Sequence, residues 1–151
     1  MAESEHPAHV NIHKAFPAGY EAMAALERAC AEAMDPVLFE LVKLRASQVN
    51  GCAFCIDTRF REAPARGETA ERLYLLDARR EAPEYTPRAR ATLARAGAVT
   101  LVGQMHVSDD VYEKARQHFD EAELVHVTLA VVAINGRNRL AIRFRAQPTL
   151  E

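Results

Sequence analysis

The chain has 151 residues, the length of one ordinary domain, and its 49% hydrophobic and 26% charged content excludes a disordered or collagen-like polymer. Its 19 basic and 21 acidic side chains leave a formal charge of -2, so no global field draws it to nucleic acid or to an anionic membrane. No apolar run approaches the roughly twenty residues that span a bilayer. Met1 to His6 lacks the basic-then-apolar layout of a secretory signal, so the expected location is the cytoplasm.

Residues 1–17 carry His6, Pro7, His9, His13 and Pro17 with little periodicity and read as an arm that docks on the body or on a neighbouring subunit; its three histidines offer adventitious metal ligands. Residues 18–151 read as a single helical domain. Tyr20, Met23, Leu26, Cys30 and Met34 recur at helical spacing and predict a first helix over 18–34 with Cys30 on its apolar face, where a thiol acts as a small hydrophobe. Asp35-Pro36 is a cap followed by proline at the first helical position, and the helix it opens runs through Leu38, Leu41, Val42 and Leu44 to Asn50, with Gly51 as its stop.

A third helix is predicted from about Cys52 to Ala65, a fourth from about Glu68 to Glu81 ahead of Pro83, and a fifth from Thr86-Pro87 to about Met105. A short helix follows from Ser108 through Val111, Ala115 and Phe119. Asp120-x-x-Glu123 resembles a capping box before a last long helix reaching about Leu140. Within it, Leu124 to Val132 is rich in β-branched residues and fits a buried strand, but its length and acidic start favour a buried helix. The expected fold is therefore all-α, a single domain of six to seven helices. No linker or repeat divides it, and its many Ala-rich apolar faces point to self-association.

The chemistry concentrates at Cys52-Ala53-Phe54-Cys55. Cysteines in the first turn of a helix sit at the positive end of its dipole, which favours the reactive thiolate, and three residues apart they share one face and can close a disulfide. Two thiolates at this spacing also suit half of a zinc site, but only Cys30 and scattered histidines remain to complete it, so a redox pair is the better reading and no metal is expected. Arg59, one turn beyond Cys55, supplies a positive charge but, because a guanidinium keeps its proton, no proton relay. Glu40, with Leu44 and Ser47 on one face of the preceding helix, is the nearest candidate base in the segment.

The stretch Glu40-Leu41-Val42-Lys43-Leu44-Arg45-Ala46-Ser47-Gln48-Val49-Asn50-Gly51-Cys52-Ala53-Phe54-Cys55-Ile56-Asp57 resembles the core motif of the AhpD-like alkylhydroperoxidases of the carboxymuconolactone decarboxylase superfamily. The likeness continues more loosely through Glu68-Thr69-x-x-Arg72-Leu73-Tyr74, Glu123-Leu124-Val125 and Asn138 to Ile142. It implies an all-helical AhpD-like fold in a homo-oligomer, a trimer or hexamer. It also implies a peroxiredoxin-type oxidoreductase that needs no cofactor.

In that reading Cys55 attacks the peroxide, Cys52 resolves the resulting sulfenic acid, Glu40 feeds a proton relay, and a lipoyl or thioredoxin-like dithiol protein restores the thiols. The sequence departs from the family at Arg59, where a histidine is expected to link the glutamate to the thiol. It departs again at Arg79, Arg95 and Arg137, where tryptophans are expected. Arg59 therefore implies weakened turnover. A redox-sensing or structural oligomer is the competing reading, while a lactone decarboxylase needs no cysteine pair. His106, His118 and His126 read as ordinary surface or core residues, and the cluster Arg137, Arg139, Arg143 and Arg145 as salt-bridging and not as a nucleic-acid site.

Overall fold

A computed structural model describes residues 7–148; His6 and the rest of the segment read as lacking a signal layout lie outside the described residues. Among the described residues all regular structure is helical, in nine α-helices and two 3-10 turns: α1 (Ile12–Ala15), α2 (Pro17–Ala33), α3 (Pro36–Asn50), α4 (Ala53–Glu62), α5 (Ala70–Tyr74), α6 (Pro87–Thr100), α7 (Val102–Met105), α8 (Asp109–Arg116) and α9 (Glu121–Phe144), with 3-10 turns at Ala63–Arg66 and Leu76–Ala78.

The central element is α3. Its N-cap Asp35 accepts the Leu38 amide and Pro36 opens it. From Phe39 to Leu44 every residue is buried, because α9, α6 and α4 pack around it. On one side Leu41, Leu44, Leu73, Leu76, Tyr85 and Leu93 form a core, and on the other Cys30, Phe39, Val42, Ala96, Val127 and Val131 form a second. Fully burying a leucine such as Leu41 or Leu93 contributes roughly 2–3 kcal/mol. Cys30 belongs to the second cluster, and burial pushes its thiol pKa up, so it packs as a hydrophobe.

The β-branched run 124–132 is helical, inside α9. Leu124, Val127, Ala130, Val131, Ile134, Asn138 and Ala141 are among its buried residues, at helical spacing. Asp120 and Glu123 form the capping box. Two predicted helices are broken. Residues 70–78 form α5 and a 3-10 turn because Leu73, Leu76, Arg79, Ala82 and Tyr85 are buried at a spacing of three, which a 3-10 turn keeps on one side and an α-helix does not. The fifth helix breaks at Leu101, where burial ends: Thr100 is the last buried residue of α6 and α7 buries none. The break at Leu101 adds α7, and α1 forms inside the segment read as an arm, so the α-helices among the described residues exceed six or seven.

The N-terminal segment lies on the body of the same chain. The His9 amide donates to the Phe144 carbonyl (2.9 Å), Asn11 caps α1, and α2 starts at Pro17. No helix among the described residues is long and apolar enough to cross a membrane.

Candidate active site

Gly51 ends α3 in the left-handed conformation (φ 69°), where a side chain would be strained, and turns the chain so that Cys52 becomes the N-cap of α4. The Cys52 amide donates to the Ser47 carbonyl (3.0 Å), and its sulfur accepts the Cys55 amide (3.3 Å). Cys52 and Cys55 form a disulfide with Cα atoms 5.3 Å apart, an ordinary separation. Cys52 therefore stands one position earlier than a first-turn residue, at the cap. Both sulfurs still sit at the positive end of α4.

A cavity of about 700 Å³ opens onto this helix end, with Cys55 but not Cys52 in its wall. Glu27, Arg59 and Arg137 line its polar side, Leu140 and Phe144 its apolar side, and residues 8–13 cover it. Cys52 lies behind, packed with Ala141 and Ala146.

Arg59 is buried, and its Nη1 lies 3.1 Å from Glu62, 3.6 Å from Glu40 and 3.9 Å from Glu27. Glu40 is almost completely buried and is not in the cavity wall; Lys43 Nζ (2.9 Å) and Arg66 Nε (3.1 Å) also pair with it. Lys43 is equally buried, reaches Glu27 at 3.4 Å and lies over the Phe39 ring at 4.1 Å. Glu27 pairs in addition with Arg137, whose Nη1 donates to the Tyr20 hydroxyl (3.1 Å).

Burial alone would raise the Glu27 pKa, but Arg137, Lys43 and Arg59 together hold it below the ordinary carboxylate value. Burial, reinforced by the Arg59 charge, pushes the Lys43 ammonium below its ordinary value against the pull of Glu40 and Glu27. These charges stand where a histidine is expected.

Cys55 and Arg59 share the cavity wall, Cys52 lies behind it, and Glu40 joins them only through Arg59, with which it pairs from outside the wall; the sequence reading missed Glu27 and Lys43 beside that pair. Glu27 carried a signal: it sits four residues after Met23 and three before Cys30, on the apolar face of α2. Lys43 carried one as well, as a cation inside the otherwise apolar run of α3. A second missed group sits behind the cysteines. Asn138 Nδ2 donates to Ser47 Oγ (3.0 Å), Asn50 Nδ2 donates to Asn138 Oδ1 and Asn135 Oδ1 (3.0 Å each), and Asn135 donates to Thr100 (3.0 Å). This network fixes the end of α3 against α9, and with it the turn that delivers Cys52.

Of the other arginines, Arg95 donates to Thr128 Oγ1 (3.0 Å), Arg139 to Asn135 Oδ1 (2.7 Å), and Arg79 is buried. Among the described residues no group of three or more His, Cys, Asp or Glu side chains is placed to hold a metal ion.

Residues 14–98 match the carboxymuconolactone decarboxylase family. The chain belongs to that family. It is 36% identical to the uncharacterized protein YdfG of Bacillus subtilis over 134 residues, 88% of this chain and 91% of that protein. It is 27% identical to the uncharacterized protein YnjA of Escherichia coli over 113 residues, 75% of this chain and 59% of that protein.

A crystal structure from Agrobacterium tumefaciens superposes with a TM-score of 0.92 at 38% identity, covering 96% of this chain and all of that one. That protein, ATU0492, is of unknown function, with a suggested role as the antioxidant defence protein AhpD. The debrominase Bmp8 shares the fold at 17% identity, with a TM-score of 0.78 over 87% of this chain and 72% of its own. The all-α, AhpD-like fold and the superfamily are thereby those read from the Cys52–Cys55 motif.

Proposed function

We propose that the protein is a thiol-dependent peroxidase in which Cys55 reduces a peroxide and Cys52 closes the disulfide. The observation that carries this reading is the asymmetry of the pair: Cys55 lines the cavity while Cys52 is sealed behind it in disulfide contact. A peroxide entering the cavity meets one sulfur, and the sulfenic acid formed on it meets the other. A dithiol protein, lipoyl or thioredoxin-like, then restores both thiols. The exposed stripe Val125, Leu129 and Val132, at helical spacing on α9, supports a homo-oligomer formed through that helix.

The test is stopped-flow oxidation of the reduced protein by hydrogen peroxide, tert-butyl hydroperoxide and cumene hydroperoxide, followed by turnover with dihydrolipoamide or thioredoxin. Saturable consumption of at least one peroxide that needs Cys55 is expected. The absence of reaction with all of them overturns the reading.

A second reading, a redox-sensing oligomer with little turnover, is favoured by one observation: the group at the histidine position is a guanidinium held by three carboxylates. Disulfide formation without sustained turnover on either reductant is its signature.

A further inference from the structure

The cavity at Cys55 has a neighbour. A groove of about 410 Å³, within the size range of small-molecule sites, adjoins it along Val10, Ile12, Tyr20, Met23, Leu140 and Phe144, which stand in the walls of both. Ala15, Phe16 and Gly19 complete the groove and have no part in the cavity.

The two spaces differ in chemistry. Every charged side chain and histidine of the cavity wall, namely Glu27, Glu62, Arg59, Arg137, His9 and His13, is absent from the groove. Tyr20 carries the one polar side-chain group of the groove wall, and Arg137, on the cavity side, donates to its hydroxyl at 3.1 Å. The four charged side chains of the cavity pair among themselves, Arg59 with Glu62 and Glu27 and Arg137 with Glu27, so they do not select an ionic head.

Two glycines draw the groove wall back. A Cβ at Gly19 would collide with the Phe16 ring, and one at Gly136 would lie 2.7 Å from Met23 Cε. Phe16 therefore lies down on α2, and the Met23 methyl lies on α9. Met23 is unbranched and adaptable, and it stands between cavity and groove. Val10 and Phe16 stay exposed along the groove, as apolar side chains do where the apolar part of a ligand covers them.

We propose that the groove is the tail subsite of the Cys55 cavity, holding the unbranched alkyl chain of a hydroperoxide whose peroxide end faces the sulfur. This rests on the peroxidase reading of Cys55 and narrows its substrate to long-chain alkyl hydroperoxides. The occupant follows from continuity: most of the groove wall is also cavity wall, so a chain lying in the groove carries its polar end into the space that Cys55 lines. There the sulfur attacks the distal oxygen. The S–O bond forms, the O–O bond breaks, the thiol proton ends on the leaving oxygen, and the 1-alkanol that departs keeps the tail.

The test is single-turnover oxidation of the reduced protein by n-alkyl hydroperoxides from butyl to dodecyl, each below its micelle concentration. The apparent dissociation constant is expected to fall about threefold per added methylene, as burial of a CH₂ group gives, until the groove is full, while the limiting rate at saturation stays constant. Ala15→Phe fills the groove from a position outside the cavity wall. In it the dodecyl compound is expected to bind on the order of 100-fold more weakly, the loss of about four buried methylenes, and the series to flatten. Thermal melts confirm that the variant folds. The 1-alkanols of the same lengths are expected to protect Cys55 from iodoacetamide in the same order, a measure of binding that needs no peroxide.

Equal dissociation constants across the series in a wild type that does oxidise overturn the tail subsite and leave the peroxidase reading standing. A chain-length gain that survives in Ala15→Phe also overturns it. A flat series with an Ala15→Phe variant whose sedimentation mass differs from that of the wild type assigns the groove to a second copy of the chain, which overturns it as well. If no hydroperoxide oxidises the wild-type thiol, the peroxidase reading fails and the alkanols decide the subsite. Protection that grows with length and is lost in Ala15→Phe supports it, and protection that is absent or independent of length overturns it.

Discussion

Arg59 Nη1 lies 3.6 Å from Glu40 Oε2, so the helix carrying Cys52 and Cys55 is tied to the helix before it by a buried ion pair at the position where a histidine is expected from the sequence. Glu40 also answers Lys43 and Arg66, and three cations therefore depend on one carboxylate. Glu40→Gln is expected to lower the unfolding free energy by about 3 kcal/mol, the low end for breaking a buried pair because Glu27 and Glu62 still serve Lys43 and Arg59. Urea unfolding followed by circular dichroism measures it. An unchanged midpoint would show that the cluster contributes nothing net to the fold.

Replacing Arg59 by histidine restores the residue type expected between Glu40 and Cys55. The rate of Cys55 oxidation by an organic peroxide is expected to rise about tenfold, less than the hundredfold or more that a positioned base gives a site having none. Stopped-flow oxidation with cumene hydroperoxide checks it, and an unchanged rate means that position 59 does not limit the chemistry.

The two sulfurs are inequivalent, and chemical trapping can read the difference. In Cys52→Ser, peroxide is expected to leave a sulfenic acid on Cys55 that dimedone labels and mass spectrometry locates. In Cys55→Ser, Cys52 is expected to stay unlabelled because it has no place in the cavity wall. Label on Cys52 alone would reverse the two roles.

Local signals made most of the helix ends readable before the structure. Asp35-Pro36, Gly51, Thr86-Pro87 and Asp120-x-x-Glu123 each state a cap or stop in adjacent residues, and the structure uses all four. The breaks at 75 and 101 were not readable from caps, because they follow from where burial changes spacing or stops, a property of the packed chain. The same division holds at the site. Cys52, Cys55, Glu40 and Arg59 lie within twenty residues and one motif, whereas Glu27, Lys43 and Arg137 come from three helices and meet only after α2 and α9 close over α3.

Asn138 is fully buried and joins Ser47 to Asn50 across the α3–α9 contact. Asn138→Ala removes one hydrogen bond from each partner, while Asn50 keeps Asn135 and Ser47 keeps the Lys43 carbonyl, and is expected to cost about 1 kcal/mol, the ordinary net worth of a lost hydrogen bond. Because Cys52 hangs from the Ser47 carbonyl at the end of that helix, the variant is also expected to slow closure of the disulfide after peroxide, as followed by quenched-flow mass spectrometry. Full stability would mean that the network is replaceable by simple packing.

Tyr85 couples stability to alkaline pH. Its ring is buried in the α3–α6 core, its hydroxyl donates to the Arg72 carbonyl, and burial pushes its pKa up from 10.0 to about 12. The folded protein therefore holds the phenolic proton more tightly than the unfolded chain does. That contribution is fully present below pH 10, shrinks as pH rises from 10, and is gone above 12. At about 1.4 kcal/mol per unit it amounts to roughly 2–3 kcal/mol.

Lys43 acts with the opposite sign. Its pKa is lowered on folding, so deprotonation favours the folded state as pH climbs toward 10.5. Comparing wild type with Tyr85→Phe isolates the tyrosine: the variant is expected to start about 1 kcal/mol less stable at pH 8 for want of the hydrogen bond, and then to lose less between pH 10 and 12. Parallel pH dependences of urea unfolding for the two proteins would show that Tyr85 ionises in the folded state as readily as in the unfolded chain.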